Sequence, residues 1–214
     1  MRKNVKKQLA LRVLSTAALM AMVSSIATAA FADTYDLNKG SVTVETKENG
    51  ITYVTQENTE INDHQDDTGV TITSYGKQTE NTITVDTAKD QTTDVTLQDV
   101  HIETEGSWNN TGSAPIEIKG DGDTNLELNG DNTVLSGDRH HAAIEKADKN
   151  GHGTLTIKDD LNDDNSTPKD KDENGNAAGG DTGKLLAGGY GDGAGIGGGY
   201  NGITDQSYAD TSKY

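Results

Sequence analysis

The stretch APIEIKGDGDTNLELNGDNTVLSG, residues 114–137, decides the fold of this chain. Apolar and polar side chains alternate in short runs around Ile116/Ile118 and Leu126/Leu128, and Gly, Asn and Asp separate the runs. Alternation with a period of two is typical of strands, whose successive side chains point to opposite faces. The stretch therefore predicts short strands joined by tight turns.

The same alternation extends from this stretch in both directions. Thr, Glu and Lys separate the apolar positions, and no segment after Asp33 has a sustained helical period. These features predict an all-β fold. The apolar i, i+2 pairs are Val42/Val44, Ile51/Tyr53, Val70/Ile72, Ile83/Val85, Val95/Leu97, Val100/Ile102, Ile116/Ile118, Leu126/Leu128 and Leu155/Ile157.

The spacing of the apolar residues favours a parallel β-helix. Each coil of such a solenoid contains short strands and tight turns, which places inward residues at intervals of about ten positions. The chain has no Phe or Met after residue 32, and a narrow aliphatic interior suits this composition better than a sandwich core does. We expect a right-handed parallel β-helix, with a β-sandwich as the alternative. The predicted inward residues are Ile116, Leu126, Leu135, Ile144, Leu155, Leu185 and Ile196.

Residues 1–32 have the features of a secretory signal peptide. Five Lys and Arg residues precede the apolar run VLSTAALMAMVSSIATAA (13–30), and Ala30-Phe31-Ala32 gives a small-x-small cleavage pattern. The run is too short and too closely followed by polar residues for a membrane span. We therefore expect no transmembrane segment, a mature chain that begins at Asp33, and a secreted, extracellular or cell-surface location.

The charge excludes several classes of partner. The chain carries 18 Lys and Arg against 35 Asp and Glu, a net charge of −17. Five of the basic residues and none of the acidic ones precede Asp33, which leaves 13 against 35 and a net charge of −22. Such a field repels nucleic acid and anionic lipid and attracts cations. The chain has no Cys, so an exported fold must form without disulfides.

The glycine-rich stretch GYGDGAGIGGGYNG, residues 189–202, contains G-x-G-x-x-G at Gly193, Gly195 and Gly198. A dinucleotide-binding turn must open a helix and be followed by an acidic residue that binds the ribose. The residues after Gly199 have no helical period and end before such an acid. We therefore interpret these glycines as a tight turn between coils, with Ile196 as its inward anchor.

Two segments resemble a family of exported surface proteins from gut-dwelling Gram-positive bacteria. AAIEKADKNGHGTLTIKDD (142–160) and GKLLAGGYGDGAGIGGGYNG (183–202) are similar to its glycine-rich β-helical repeat, and residues 94–137 are similar to a β-helical carbohydrate-binding domain. The acidic insertion at 161–183 departs from the family. One GAGIGGG copy is present, which leaves open that the chain is the N-terminal portion of a longer protein. The resemblance implies a non-catalytic surface module that binds glycan or mediates adhesion.

We divide the chain accordingly. Residues 1–32 are the signal peptide and residues 33–93 an N-terminal β region. The β-helical repeat domain spans 94–202 and contains an acidic insertion at 159–183. Residues 203–214 form a C-terminal tail or the beginning of a truncated next repeat.

The insertion contains a candidate calcium loop. Its residues follow the D-x-D-x-N-G pattern that begins such loops, and carboxylates at alternate positions of a chain bent at a glycine converge on one ion. The aspartate at position twelve is shorter than the usual glutamate, and no helical pattern flanks the loop, which leaves a solvated acidic loop as the other interpretation. The predicted Ca²⁺ ligands are Asp170, Asp172, Asn174, Asn176 and Asp181.

Trp108 is the candidate glycan-binding residue. It lies in the polar stretch SWNNTG and is the only Trp of the chain. An indole ring in such a loop stacks on a sugar or covers an open end of a coil, and the sequence does not separate these roles.

Catalytic patterns are weak. Asp159, Asp160, Asp163 and Asp164 resemble the clustered carboxylates of β-helical polysaccharide lyases, but they adjoin the insertion and do not follow the period of a strand. We interpret Arg139-His140-His141 as turn or surface residues, because neighbouring strand residues point to opposite faces and a third ligand is missing. A weaker oxygen cluster, Asp121, Asp123 and Asn125, we interpret as a plain turn.

These observations predict a protein that is not an enzyme. The expected partner is a polysaccharide or a host or cell-wall glycan. A structural spacer of a larger surface protein is the alternative function, and a polysaccharide lyase or hydrolase is less favoured.

Overall fold

The structure is a computed structural model, and it describes residues 33–66, 69–106, 112–146, 152–159, 183–191 and 193–198, together with the backbone of 200–201 and 205–206. The described elements are strands, apart from a single 3₁₀ turn at Leu37–Lys39. The prediction of an all-β chain is therefore confirmed. Within these ranges, no helix is long and apolar enough to cross a membrane.

Three sheets, built mainly of parallel strands, contain most of the described residues. The first has the order β1 (Asp33–Asp36), β5 (Val70–Thr73), β8 (Thr92–Gln98), β11 (Asp123–Asn129) and β14 (Leu155–Lys158). The second has the order β16 (Ile196–Gly197), β13 (Ile144–Lys146), β10 (Ile116–Lys119), β7 (Ile83–Thr87), β2 (Val42–Thr46), β3 (Thr52–Gln56) and β4 (His64–Asp66). The third has the order β15 (Lys184–Gly189), β12 (Asp131–Ser136), β9 (His101–Glu103) and β6 (Gln78–Thr79). The short strands β17 (Tyr200–Asn201) and β18 (Asp205–Gln206) pair with each other.

From β4 to β16, successive strands occupy the three sheets in a fixed rotation of second, first and third. β7, β8 and β9 make one round, and β10, β11 and β12 repeat it and pair with them in parallel. β13, β14 and β15 add another round in the same way. Because each round lies in register on the one before, equivalent residues form ladders. Ile83, Ile116, Ile144 and Ile196 form one such ladder in the second sheet.

Aliphatic side chains from all three sheets form one buried cluster. Ile116, Leu126 and Ile144 are fully buried and Leu155 nearly so, which confirms that these four share one interior. Full burial of a side chain of this size contributes about 1.5–3 kcal/mol. Leu185 and Ile196 are partly buried against the same cluster. The alternation of the sequence therefore identifies most of the core.

The prediction that Leu135 faces inward is wrong. Val134 is the fully buried residue at this point of β12, and Leu135 is only partly buried on the other face. A shift of one residue moves every side chain of a strand to the opposite face. Here the shift accompanies the burial of Asn132, whose amide group donates hydrogen bonds to the carbonyl oxygens of Asn129 and Lys184 at the corner between rounds.

The predicted pair Ile51/Tyr53 does not point inward either. β3 buries Val54 and Gln56 instead, and both predicted residues are partly exposed. Lys47 Nζ lies 4.3 Å from the centroid of the Tyr53 ring, a distance at which an ammonium is attracted to an aromatic face. The ring of Tyr53 therefore has a partner outside the core.

A ladder of threonine hydroxyls occupies the inner corner between the second and first sheets. Thr93 Oγ1 donates to Thr46 Oγ1 at 2.7 Å, and Thr87 Oγ1 lies 2.7 Å from that of Thr93 and 3.2 Å from that of Thr124. These four residues are buried, and their hydroxyls satisfy one another, as buried polar groups require. The ladder ends at Thr52, whose Oγ1 is 2.8 Å from that of Thr46.

The glycine-rich stretch brings two backbone segments close together. A Cβ atom on Gly195 would lie 2.6 Å from the carbonyl oxygen of Ala187, closer than real Cβ atoms come. Gly191 has a φ of +65°, in the left-handed region that favours glycine. The chain then enters the short strand β16, where Ile196 pairs with Ile144. Glycine at these positions allows the two backbone segments to approach closely and to turn.

Candidate binding pocket

The residues predicted to bind a ligand or a metal lie outside the described residues. They are Trp108 and the five loop residues Asp170, Asp172, Asn174, Asn176 and Asp181. Both hypotheses therefore stay predictions. Among the residues that the structure does describe, no group of three or more His, Asp or Glu side chains is arranged to hold a metal ion.

A hydrogen bond joins the two ends of the acidic insertion. The backbone N–H of Gly183 donates a hydrogen bond to Oδ2 of Asp159 at 3.0 Å, so the chain leaves and re-enters the sheets at one point. This contact assigns Asp159 a structural role. The other three carboxylates of the lyase-like cluster, Asp160, Asp163 and Asp164, lie outside the described residues.

The two adjacent histidines lie in the turn between β12 and β13. The backbone N–H of His140 donates to Oδ1 of the buried Asp138 at 2.7 Å, and Nδ1 of His141 lies 2.8 Å from Oε2 of Glu145. The hydrogen bond to Glu145 raises the pKa of His141; burial opposes this effect, and nearby carboxylates add to it. These contacts organise the turn, in agreement with its interpretation from sequence.

The weaker oxygen cluster connects successive rounds. Asp123 Oδ1 accepts hydrogen bonds from the backbone N–H of Thr154 at 2.7 Å and from its hydroxyl at 2.8 Å. Asn125 donates its side-chain amide to Asp94 Oδ1 at 2.8 Å. Both side chains are therefore engaged with neighbouring strands.

A pocket of about 270 Å³ lies between the β2–β3 hairpin and the beginnings of β5 and β8. This volume is close to the lower end of the range for small-molecule sites. The lining combines polar residues with glycines and aliphatic residues. The lining residues are Gly50, Ile51, Thr52, Asp66, Gly69, Val70, Thr92 and Asp94.

Two carboxylates line the pocket from different strands, and each has a fixed hydrogen-bond donor. Asp66, at the end of β4, is 6% exposed, and its Oδ2 accepts a hydrogen bond from the Tyr35 hydroxyl at 3.3 Å. Burial, together with the charges of Asp66 and Asp33, raises the pKa of Tyr35, so this phenol stays protonated and able to donate. Asp94 is exposed and is held by Asn125.

The open space beside Asp94 exists because residue 69 is a glycine and has no side chain. Gly69 directly precedes the pair Val70–Val95 in the parallel register, so it lies next to the outward position of Asp94. A Cβ atom added at Gly69 would meet nothing within 4 Å. A side chain here would lie over the open space. The glycine therefore leaves room for a ligand against the carboxylate.

The pocket presents mainly hydrogen-bond acceptors. The backbone N–H groups of Gly50 and Ile51 already donate, to Lys47 O and Asn49 Oδ1. The hydroxyl of Thr52 belongs to the threonine ladder. The exposed polar side chains of the lining are the carboxylate of Asp94 and the hydroxyl of Thr92. Such a surface suits a ligand rich in donors, as a sugar with several hydroxyl groups is.

The pattern of the sequence does not identify these two carboxylates. Asp66 lies in the stretch INDHQDDTG, which has no apolar alternation from which its burial follows. Asp94 reaches the pocket only because β8 pairs with β5. The one available signal is the glycine at position 69, whose partner depends on a register that the sequence alone does not specify.

No protein-family model, curated protein or solved structure matches this chain. The resemblance to Gram-positive surface proteins therefore stays a prediction.

Proposed function

We propose that this chain is an exported, non-catalytic surface module that forms a right-handed parallel β-helix and binds carbohydrate or mediates adhesion. The rotation of strands through three sheets supports this architecture, because every round pairs in parallel with its neighbours. The alternative, a β-sandwich, consists of antiparallel sheets. Among the described strands, antiparallel pairing is confined to the contacts of β3 with β2 and β4 and to the pair β17–β18.

The observation that carries the binding proposal is the pocket at Asp66 and Asp94. Sugar hydroxyls are hydrogen-bond donors, and the exposed carboxylate of Asp94, held in place by Asn125, is a good acceptor for them. A volume of about 270 Å³ accommodates a single sugar unit rather than a long ligand. The polysaccharide or the host or cell-wall glycan would therefore contribute one residue of its chain to this pocket.

The features of residues 1–32 support export and a secreted, extracellular or cell-surface location. The net charge of −17 argues against nucleic acid as a partner. It also disfavours acidic glycans unless calcium bridges the two surfaces. Calcium at Asp170, Asp172, Asn174, Asn176 and Asp181 is accordingly part of the proposal.

A glycan array read for both retention and product release tests this function. Retention of the mature protein without reducing ends or unsaturated products supports the proposal. If Trp108 contributes a stacking surface, its fluorescence shifts when the retained glycan is added, and Trp108→Ala weakens binding by about 1 kcal/mol or more. Released products would contradict a non-catalytic role and favour a lyase or hydrolase.

A structural spacer is the second candidate, favoured by the isoleucine ladder that runs from Ile83 to Ile196 through successive rounds. Regular packing of this kind gives a stiff support and requires no ligand. The spacer predicts no retention on any glycan of the array by a sample with an intact β-type circular dichroism spectrum. That outcome would overturn the binding proposal.

A further inference from the structure

The apolar interior is covered at one end of the stacked rounds and partly exposed at the other. At the end formed by the first strands, Tyr35 of the edge strand β1 is buried. At the other end, Ala187 of β15 is partly exposed, although Val134, its partner one round earlier, is fully buried. Ile196 and Ile144 differ in the same way. The end that contains β15 therefore offers apolar surface to a further strand.

Strand β15 has few of the features that usually protect the edge of a sheet. Within the described part of the chain it pairs only with β12, and it is six residues long. Leu186, on its outer face, and Tyr190, directly after it, are each 61% exposed. Native edge strands are usually short, charged or interrupted by proline. Lys184 is the only charged residue of this strand, and residues 185–191 contain neither a charge nor a proline. The strand is therefore a template for pairing.

The residues of β15 complement those of a second, antiparallel copy. In a pair related by a two-fold axis through Ala187, each side chain lies opposite one on the same face of the joined sheet. Leu186 then lies opposite Gly188 of the second copy, and Leu185 lies opposite Gly189. Each leucine therefore meets a position that has no side chain. The order of residues, Lys-Leu-Leu before this alanine and Gly-Gly-Tyr after it, makes the strand complementary to itself.

The outer face supplies an apolar neighbour for this pairing. A Cβ atom on Gly188 would lie 3.0 Å from Leu135 Cδ2, so the leucine side chain lies against the glycine. Leu186 of the second copy, opposite Gly188, would therefore contact Leu135.

The two ends of the strand also match. Lys184 would lie opposite Tyr190 of the second copy, with Cβ atoms about 4.5–5.5 Å apart. The ammonium of Lys184 is 3.0 Å from Oδ1 of Asp131 on the same face, and the aliphatic part of such a side chain can cover an apolar ring. Charges of like sign would not lie opposite each other in the paired strands.

We propose that two copies of this chain associate end to end through antiparallel pairing of their β15 strands. The third sheet would then continue from one copy into the other, and the partly exposed apolar residues at this end would be covered. The negative charge of the chain opposes association, and the stretch 185–191 brings no charge to the contact. The inference goes beyond carbohydrate binding and does not depend on it.

Sedimentation equilibrium of the mature chain tests the inference and should show a monomer–dimer equilibrium. Leu186→Lys should raise the dissociation constant of the dimer at least tenfold, since the dimer loses two buried leucines. This variant also lowers the net negative charge, so general repulsion between chains predicts the opposite change. Screening by salt, between about 0.05 and 0.5 M NaCl, should strengthen the dimer of the unchanged chain.

Two tyrosine variants locate the contact. Tyr190→Ser should weaken the dimer about tenfold, because it removes an aromatic ring from the pairing. Tyr75→Ser removes a ring that is 64% exposed in the turn after β5 and should leave the dimer unchanged. Since the substituted side chains are exposed, each variant should keep the β-type circular dichroism spectrum.

Single cysteines test the register, because the chain has none of its own. Residues directly opposite each other in an antiparallel pair have Cα atoms about 4.5–5.5 Å apart, within the range that a disulfide spans. Ala187→Cys should therefore form a disulfide-linked dimer under mild oxidation, and Tyr75→Cys should not.

Three outcomes would overturn the inference. A monomer at every concentration would exclude a second copy, and slow amide exchange in β15 of that monomer would assign the edge to another segment of the same chain. A dimer that Leu186→Lys does not weaken, or that Tyr190→Ser and Tyr75→Ser weaken equally, would have its contact elsewhere. Equal cross-linking of Ala187→Cys and Tyr75→Cys would indicate random collision.

Discussion

The buried threonine hydroxyls illustrate how much depends on single side chains in this protein. Thr87 is fully buried, and its hydroxyl lies within hydrogen-bond distance of those of Thr93 and Thr124. Thr87→Val keeps the shape of the side chain and leaves both partners without this bond. An unsatisfied buried polar group costs about 1–3 kcal/mol. We therefore expect the free energy of unfolding, measured by urea denaturation, to fall by about that amount.

Thr43→Val is the matched control for this substitution. Thr43 is exposed on the outer face of β2, so the same chemical change there should alter stability by less than about 0.5 kcal/mol. Equal effects of the two substitutions would show that the ladder contributes nothing specific.

His141 makes stability depend on pH. Its pKa lies above the ordinary value of 6.5, mainly because of the hydrogen bond to Glu145, while burial opposes the shift and the charges of Glu145, Asp138 and Glu117 favour it. A raised pKa in the folded state means that folding favours the protonated form. The resulting stabilisation is fully present below pH 6.5 and is lost as the pH rises through the raised pKa.

The comparison of wild type with His141→Gln checks this prediction. The substitution should lower the free energy of unfolding at about pH 5.5 and have a smaller effect at about pH 8.5. His152→Gln, at an exposed position, serves as the control and should show no such difference. A His141→Gln effect that is the same at both pH values would contradict a contribution from the charged pair.

At the scale of single elements, β12 provides the sharpest test of register. Val134 is fully buried and the neighbouring Leu135 is partly exposed. Val134→Ala should lower the free energy of unfolding by about 2 kcal/mol, since it removes two buried carbon atoms and leaves a small cavity. Leu135→Ala removes a larger side chain and should still have the smaller effect. The opposite order in urea denaturation would mean that the register is shifted by one residue.

Element type follows from the sequence here, and register follows only in part. Alternation over Ile116/Ile118 or Val95/Leu97 identifies both the strand and its buried face, because aliphatic side chains occupy only one face. In β12 the polar Asn132 is buried, and β3 buries Gln56. Hydrophobicity gives no signal for such positions, since their burial depends on carbonyl groups supplied by other strands.

The residues that line the pocket cannot be predicted from the sequence for a related reason. Asp94 reaches the pocket because β8 pairs in parallel with β5, and Asp66 because β4 pairs antiparallel with β3. A local pattern specifies which face of its own strand a residue occupies. It does not specify which residue of another strand lies opposite. The candidates that the sequence does specify, Trp108 and the calcium loop, depend on local composition alone.

At the scale of the whole molecule, the net charge of −17 makes cation binding the property to measure first. Titration of the mature protein with Ca²⁺ should reveal a site with a dissociation constant on the order of 10⁻⁴ to 10⁻³ M, the range of extracellular modules. Asp172→Ala should weaken it, because Asp172 is one of the predicted ligands. Asp163→Ala removes the same charge from the insertion outside the loop motif and should leave the affinity unchanged. Identical heats for the two variants would indicate only diffuse attraction of counterions.

The hydrogen bond between Gly183 and Asp159 has a consequence for how this protein tolerates changes in length. Because the two ends of the insertion meet, the rounds before and after it remain in register whatever number of residues lies between them. The entropy of closing a flexible loop rises slowly, by about 0.6 kcal/mol for each doubling of its length. The junction is thus a site where a foreign peptide or an entire domain can be grafted, with the stacked strands acting as a carrier.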